Sequence, residues 1–262
     1  WYGFNGTVIN NAGIVNIKDS TFTGNTKTKS VTNPTGTSVS PYLFDGGAVL
    51  KVAQGATANF TGTNVISGNS YTNTLTSSTT GSKYAATYGG IVSNEGTITN
   101  LNAAFNNNTV NINATRTNGY AYNYLYGGIL GNRGTVGNLS GGFYGNRITA
   151  TGANYAYAYI YGGLIGNRAD ATHLNVSIGD LSDGLRENII TATGATANIY
   201  GGLLYNYAYN TNSTATVGAI SGGILNNTIT AQANIYGGLL YNYASSATAT
   251  VGDITGGIED NE

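Results

Sequence analysis

The feature that most constrains this chain of 262 residues is an internal repeat. The string ANIYGGLLYNYA occupies residues 197–208 and recurs unchanged at 233–244. Gly-Gly pairs recur along the chain, and a second series, exemplified by VGNLSGGFYGN at 136–146, lies between them. Both series contain Gly-Gly, an apolar residue, two variable positions and Asn. The chain therefore repeats a unit of about 19 residues, and the dodecamers mark every second unit.

Asparagine closes each unit and forms the clearest column of the repeat. Asn tolerates left-handed backbone, and stacked Asn amides can hydrogen-bond along an axis, so we predict a structural role for this column. Lys51 stands at the corresponding position of an early, looser copy. The predicted column contains Asn94, Asn108, Asn132, Asn146, Asn167, Asn188, Asn206, Asn227, Asn242 and Asn261.

Period and composition together predict an all-β, parallel β-helix. Strong helix formers such as Lys, Glu and Gln are scarce, whereas Thr, Tyr, Ile and Val favour strands. A Gly-punctuated unit of about 19 residues suits one coil of such a helix, stacked on the previous coil at about 4.8 Å. We expect a single domain over 1–262, with irregular coils and long loops in 1–88 and regular two-coil repeats in 89–262.

Several classes of function are disfavoured by composition. No run of about 18 apolar residues occurs, so we expect no direct membrane insertion by this chain. The net charge of −1 argues against nucleic acid as a partner. Absent cysteines exclude disulfides and thiolate metal sites. The chain begins WYGFNG without Met, so we expect a processed or excised product.

The strongest candidates for catalysis form a charged island at 168–187. Parallel β-helices host polysaccharide-cleaving enzymes that use paired carboxylates, which keeps an enzyme among the alternatives. Charged decoration of exposed loops is the simpler interpretation, so we predict no catalytic residue, no metal and no cofactor. The island contains Arg168, Asp170, His173, Asp180, Asp183, Arg186 and Glu187.

Tyrosine is the most informative residue type for recognition. The strings YAYNYLY (120–126) and YAYAYIY (155–161) alternate tyrosine with mostly small residues, which places Tyr155, Tyr157 and Tyr159 on one face of a strand. Such a row either binds a glycan or protein, or stacks on neighbouring coils and shields the backbone. The candidate recognition residues are Tyr155, Tyr157, Tyr159, Tyr200, Tyr205, Tyr236 and Tyr241.

Two short motifs carry a resemblance to a known family. A Gly-Gly-Ala-aliphatic motif stands at 46–49, and Phe-x-x-Asn stands at 22–25, 105–108 and 143–146. This pattern resembles the repeats of chlamydial polymorphic outer membrane proteins and related autotransporter passengers. Later copies depart from it by replacing Phe with Leu185, Ile224 and Ile258. The resemblance implies a right-handed β-helix on a bacterial surface that serves adhesion.

We therefore expect a non-enzymatic, extracellular adhesin or structural rod. Its partner would be a protein or glycan on a host or neighbouring cell. One alternative is a subunit of a head-to-tail fibre, because basic residues outnumber acidic ones in 1–131 and the reverse holds in 132–262. Opposite charge at the two ends would favour self-association. A polysaccharide-cleaving enzyme is the other alternative.

Overall fold

The computed structural model describes residues 8–10, 12–34 and 44–262, which form an all-β parallel solenoid. Every strand pairing within these ranges is parallel, and the strands belong to five sheets, named A to E here in chain order. No helix long and apolar enough to cross a membrane occurs in the described ranges. The predicted fold class is confirmed.

Sheets A, B and C each run the length of the solenoid. Sheet A contains β1 (Val8–Asn10), β6 (Leu50–Val52), β11 (Val92–Asn94), β16 (Leu130–Asn132), β22 (Ile165–Ala169), β27 (Leu204–Tyr209) and β32 (Leu240–Ser245). Sheet B contains β2 (Ile14–Lys18), β7 (Thr57–Thr61), β12 (Thr97–Ile98), β17 (Thr135–Val136), β23 (Asn175–Ile178), β28 (Thr214–Val217) and β33 (Thr248–Val251). Sheet C contains β3 (Thr21–Thr23), β8 (Asn64–Ser67), β13 (Leu101–Asn106), β18 (Leu139–Ser140), β19 (Phe143–Tyr144), β24 (Leu185–Arg186), β29 (Ile224–Leu225) and β34 (Ile258–Glu259).

Sheets D and E complete each turn. Sheet D contains β4 (Thr26–Thr32), β9 (Ser70–Ser77), β14 (Thr109–Arg116), β20 (Arg147–Ala153), β25 (Ile189–Thr193) and β30 (Thr228–Ala231). Sheet E contains β5 (Phe44–Asp45), β10 (Ser82–Tyr88), β15 (Tyr120–Tyr126), β21 (Tyr157–Tyr161), β26 (Ile199–Tyr200) and β31 (Ile235–Tyr236). Each sheet E strand leads directly into a sheet A strand of the next turn.

One turn of the solenoid contains two of the 19-residue coils. The chain makes about six turns, with partner strands roughly 39 residues apart in sequence. The coil length is confirmed, but the expectation that each coil stacks on the previous one is wrong. Each coil instead stacks on the coil two units further along the chain. Successive Gly-Gly units lie at two opposite corners of the same turn, so neighbouring coils in sequence are not stacked partners. Six steps between neighbouring strands give an axial length of about 30 Å.

Alternating side chains explain why these segments form strands around a core. Strand β9 alternates half-buried and buried positions along its whole length, so one face points inward and the other outward. The apolar residue after Gly-Gly points inward as predicted throughout the central turns. Ile91, Phe105, Ile129, Phe143, Leu164, Leu185, Leu203 and Ile224 are buried. Leu239 is partly buried and Ile258 is exposed, because both lie in the last turn.

The first Gly-Gly pair stands one position out of register with the later pairs. Leu50 pairs with Val92, which places Ala48 level with Gly90, the second glycine of the next pair. The same register places Val52, rather than Lys51, level with Asn94. The predicted equivalence of Lys51 with the Asn column is therefore wrong. The predicted long loops of 1–88 include residues 35–43, which lie outside the described ranges, so that division stays a prediction.

The predicted Asn column is two separate ladders, one at each of two corners. Successive side chains within a ladder are joined by an Nδ2–H donated to the next Oδ1 at 2.7 to 3.0 Å. The ladder within sheet A contains Asn94, Asn132, Asn167, Asn206 and Asn242. The ladder before sheet D contains Asn25, Asn69, Asn108, Asn146, Asn188, Asn227 and Asn261.

Within the second ladder each interior amide satisfies both its donor and its acceptor groups. Asn146 donates from Nδ2 to the carbonyl of Phe105 and to Oδ1 of Asn188. Its own Oδ1 accepts from the backbone N–H and the side chain of Asn108. The amide is fully buried, so these bonds replace water completely. The ladders therefore fix the register of neighbouring turns.

Candidate functional site

Tyrosine rings form continuous stacks along the axis on sheet E. The longest stack runs through five successive turns, with ring centroids 4.5 to 4.8 Å apart and planes 10° to 18° from parallel. Because the faces are in contact, the stack presents ring edges and hydroxyl groups outward. Its members are Tyr88, Tyr126, Tyr161, Tyr200 and Tyr236.

A second group of stacked tyrosines lies on sheet A, immediately after the Gly-Gly corner. Tyr205 stacks on Tyr241 at 5.6 Å, and Tyr207 stacks on Tyr243 at 5.3 Å. The corner brings the two sheets together, so that the ring of Tyr161 meets that of Tyr205 edge-on at 5.1 Å. The chain turns the corner between the two sheets at Gly162 (φ +69°), a conformation that glycine adopts readily, and this corner makes the approach possible.

A groove of about 310 Å³ lies along this corner and is the candidate site. It is lined by Tyr126, Tyr161, Arg168, Tyr200, Tyr205, Tyr207, Tyr241 and Tyr243. We call this the tyrosine groove. Its wall consists of one face of sheet E and one of sheet A, so its shape depends on two rigid sheets rather than on loops.

Only some of the predicted recognition tyrosines line this groove. Tyr200, Tyr205 and Tyr241 do, whereas Tyr157 and Tyr159 lie earlier on strand β21 of sheet E and do not line the groove. Tyr205 is buried, with 4% of its surface exposed, because neighbouring rings cover it. The expectation that Tyr155 continues the strand face is wrong, since it lies in a turn with φ +59° before β21 begins. Tyr236 is exposed in the last turn.

Arg168 closes one end of the tyrosine groove. Its guanidinium lies over the ring of Tyr126, with Cζ 4.6 Å from the ring centroid, and Nη1 donates a 2.7 Å hydrogen bond to the hydroxyl of Tyr88. The side chain is one-quarter exposed. Cation–π contact and this hydrogen bond together hold the guanidinium in a fixed orientation.

A buried ion-pair network stands beside Arg168 and is centred on Arg133. Arg133 donates to Glu95 and to Asp170, both at 2.9 Å, and only 7% of its side chain is exposed. Burial opposes ionisation of the Asp170 carboxyl. The nearby His173 side chain, the charge of Arg133 and hydrogen bonds from Thr172 outweigh this effect and hold the pKa of Asp170 well below its usual range. Asp170 is therefore a carboxylate at neutral pH.

The charged island of the sequence divides into two parts. Arg168, Asp170 and His173 join the network described above. Asp180 and Asp183 lie before sheet C, where their carboxylates each accept a 2.9 Å hydrogen bond from a backbone N–H, of Ala219 and Gly141 respectively. The described ranges contain no cluster of three or more His, Asp or Glu side chains that could hold a metal ion.

We expect replacement of Asp170 by Asn to lower the free energy of unfolding by about 2 kcal/mol at pH 7, because one of the two charged partners of the buried Arg133 is lost. Folding lowers the pKa of this carboxyl, so its stabilising contribution is full above the unfolded value of about 4 and is lost progressively as pH falls from there to the lower folded-state value. Urea unfolding at several pH values should show the two proteins converging in acid. Asp253→Asn, at an exposed site, is the control; a constant gap between Asp170→Asn and wild type would contradict the prediction.

Several residues of the groove were not predicted from the sequence. Tyr161, Tyr207 and Tyr243 line it, and Arg133 stands level with Arg168 in the preceding turn. One signal could have identified Tyr207. It follows the Asn ladder at the same position as Arg168, one turn later, and this equivalence becomes visible once a turn of two coils is assumed.

Comparison of the chain with family models, with curated proteins and with solved structures gave no match. The resemblance to polymorphic outer membrane proteins therefore stays a prediction based on its motifs.

Proposed function

We propose that this chain is a non-enzymatic recognition rod that acts as an adhesin at a cell surface and binds a glycan along its tyrosine face. The tyrosine groove carries this proposal, because it combines seven phenol rings and one guanidinium on two rigid sheets. Tyrosine offers apolar area together with a polar hydroxyl. Its side chain has only two rotatable angles, so little conformational entropy is lost when it is fixed.

The chemistry of the groove suits a ligand rich in hydroxyl groups. Ring faces are occupied by neighbouring rings, so the edges and the phenol hydroxyls are what a ligand meets. Burial, reinforced by neighbouring tyrosines, raises the pKa of Tyr161 and Tyr205 well above the usual value, and that of Tyr159 to about 12. These phenols stay protonated at all physiological pH values and can both donate and accept hydrogen bonds.

The regular spacing of the tyrosines suits a polymer. Along sheet E, equivalent rings recur at 4.5 to 4.8 Å, and the Asn ladders hold each turn at that spacing. A repeating ligand can therefore make the same contact at successive turns. Because the array is ordered before binding, little conformational entropy is lost on association.

The positions of the carboxylates support a role without catalysis. Asp180 and Asp183, two carboxylates of the charged island, each accept a hydrogen bond from a backbone N–H of an adjacent turn. Asp170 binds Arg133 and Thr172. Carboxylates held in this way stabilise the turns of the solenoid and have fewer acceptor positions left for a substrate.

We expect the double variant Tyr207→Phe/Tyr243→Phe to weaken binding at least tenfold, because it removes two groove hydroxyls and keeps the stacked rings. Binding is measured on an array of immobilised glycans and by attachment of labelled protein to cells. Tyr144→Phe, at an exposed side chain of β19 in sheet C, is the matched control and should bind like wild type. Equal binding by the double variant and wild type would refute the proposal.

Head-to-tail self-association is a second candidate, supported by the distribution of charge along the axis. The first described turn carries Lys18, Lys27 and Lys29, and the last carries Glu259 and Asp260. Oppositely charged ends attract each other at low ionic strength. We expect electron microscopy to show fibres in low salt that shorten in high salt, whereas isolated rods in both conditions would exclude this candidate.

A further inference from the structure

The two cations beside the tyrosine groove are not equally neutralised. Both nearby carboxylates, Glu95 and Asp170, accept hydrogen bonds from Arg133 at 2.9 Å. Arg168 has no carboxylate within hydrogen-bond distance in the described ranges, and its closest approach is 3.9 Å from Nε to Asp170. The charge of Arg168 is therefore only partly balanced, although the side chain is three-quarters covered. Partial removal from water strengthens the attraction of such a charge for an anion.

Arg168 also keeps hydrogen-bond donors that the protein does not use. Of its five N–H groups, one on Nη1 binds the hydroxyl of Tyr88, and Nε is covered without any hydrogen-bond partner among the described residues. Nη2 makes no hydrogen bond with them either. Since Nε is covered, the remaining donors for a ligand are those of Nη2 and the second N–H of Nη1, and donors on these two nitrogens match the two oxygens of a carboxylate or sulfate.

The register of sheet A places this cation at the boundary of the tyrosine array. Arg168 stands level with Tyr207 in the next turn and Tyr243 in the turn after that. Its Cζ lies 5.9 Å from the ring centroid of Tyr207. A ligand that follows the phenol hydroxyls along sheet A therefore reaches the guanidinium at the end of the tyrosine groove.

We propose that the tyrosine groove selects an acidic glycan, with the carboxylate or sulfate of one sugar bound by Arg168 and the hydroxyls of neighbouring sugars bound by the groove tyrosines. This inference rests on the proposed function, since it names the ligand class of the same groove. Arg168 acts as a specificity determinant, and the tyrosines supply contacts that neutral and acidic sugars share.

The test uses ligand pairs that differ only in charge. Oligogalacturonate is compared with its methyl ester, and sulfated dextran fragments with unsulfated dextran, by calorimetric titration at about 0.15 M salt, where surface charges are largely screened. We expect wild type to prefer the acidic member of at least one pair by about tenfold. In Arg168→Gln the ratio of the affinities for the acidic and the neutral member should fall to about one. The pair that shows the preference identifies the carboxylate or the sulfate as the source of the charge.

Control variants separate recognition from folding. Arg147→Gln, an exposed side chain on β20 of sheet D, should keep the wild-type preference. The melting temperature is measured for each variant. If Arg168→Gln is unfolded, Arg168→Lys replaces it, and this variant should keep a reduced preference because it retains charge but loses the fork of donors.

The outcomes distinguish this inference from the proposal on which it rests. Equal affinity of wild type for both members of each pair, or an unchanged preference in Arg168→Gln, would overturn the acidic-glycan inference and leave glycan binding in place. Absence of binding to every glycan, acidic or neutral, on the array and in titration would overturn both.

Discussion

Replacement of Asn188 by alanine is expected to lower the free energy of unfolding by about 4 kcal/mol. Asn188 is fully buried, and its Oδ1 accepts hydrogen bonds from both the backbone N–H and Nδ2 of Asn146. Its Nδ2 donates to the carbonyl of Phe143 and to Oδ1 of Asn227. Alanine leaves at least two of these groups buried and unpaired, at roughly 1–3 kcal/mol each.

Urea unfolding followed by circular dichroism measures this loss, with Asn175→Ala as the matched control. Asn175 is exposed on β23 of sheet B, so its replacement should change the free energy of unfolding by less than about 0.5 kcal/mol. Similar losses in the two variants would show that the ladder contributes no more than an exposed amide.

Replacement of Gly162 by alanine is expected to cost about 4 kcal/mol and to open the tyrosine groove. Gly162 has φ +69°, a conformation that costs an L-residue about 1–2 kcal/mol. A Cβ at this position would also collide with the carbonyl oxygen of Ile165 and lie 2.9 Å from the backbone nitrogen of Tyr205. Both are backbone atoms of the groove corner, so the corner must move to make room, which adds about 1–3 kcal/mol.

Gly55→Ala separates the two contributions. Gly55 has φ +81°, but a Cβ there would have no atom within 4 Å. This control should therefore lose only the conformational part, about 1–2 kcal/mol, and should keep its glycan binding. If Gly162→Ala loses no more stability than Gly55→Ala, the close approach of the two sheets at Gly162 does not constrain the corner.

The repeating unit was predictable from the sequence, but the turn was not. Two coils with the same Gly-Gly to Asn signature fold as opposite corners of one turn, and the signature alone does not distinguish a stacked neighbour from an opposite corner. Strand partners settle this, because Asn94 bonds to Asn132 rather than to Asn108. That pairing is a long-range property of the fold.

The candidate site was only partly predictable, because it too depends on which strands become partners. Alternation of tyrosine with small residues predicted an aromatic face, and Tyr200 and Tyr241 do line the tyrosine groove. The groove itself depends on two sheets that meet at a corner, where Tyr161 and Tyr205 come within 5.1 Å. Arg168 lies over Tyr126, a residue of the preceding turn, and the sequence alone did not predict this contact either.

The in-register pairing of identical dodecamers has a consequence for how the length of such a rod can vary. Leu204 pairs with Leu240 and Ile199 with Ile235, so 197–208 and 233–244 occupy equivalent places in adjacent turns. Recombination between the two copies would remove or add 36 residues, which is the separation of Asn206 from Asn242. Every remaining strand would still find a matching partner, and the groove would shorten or lengthen by one row of phenols. A gene of this kind can therefore adjust the number of tyrosine rows in whole steps without redesigning the fold.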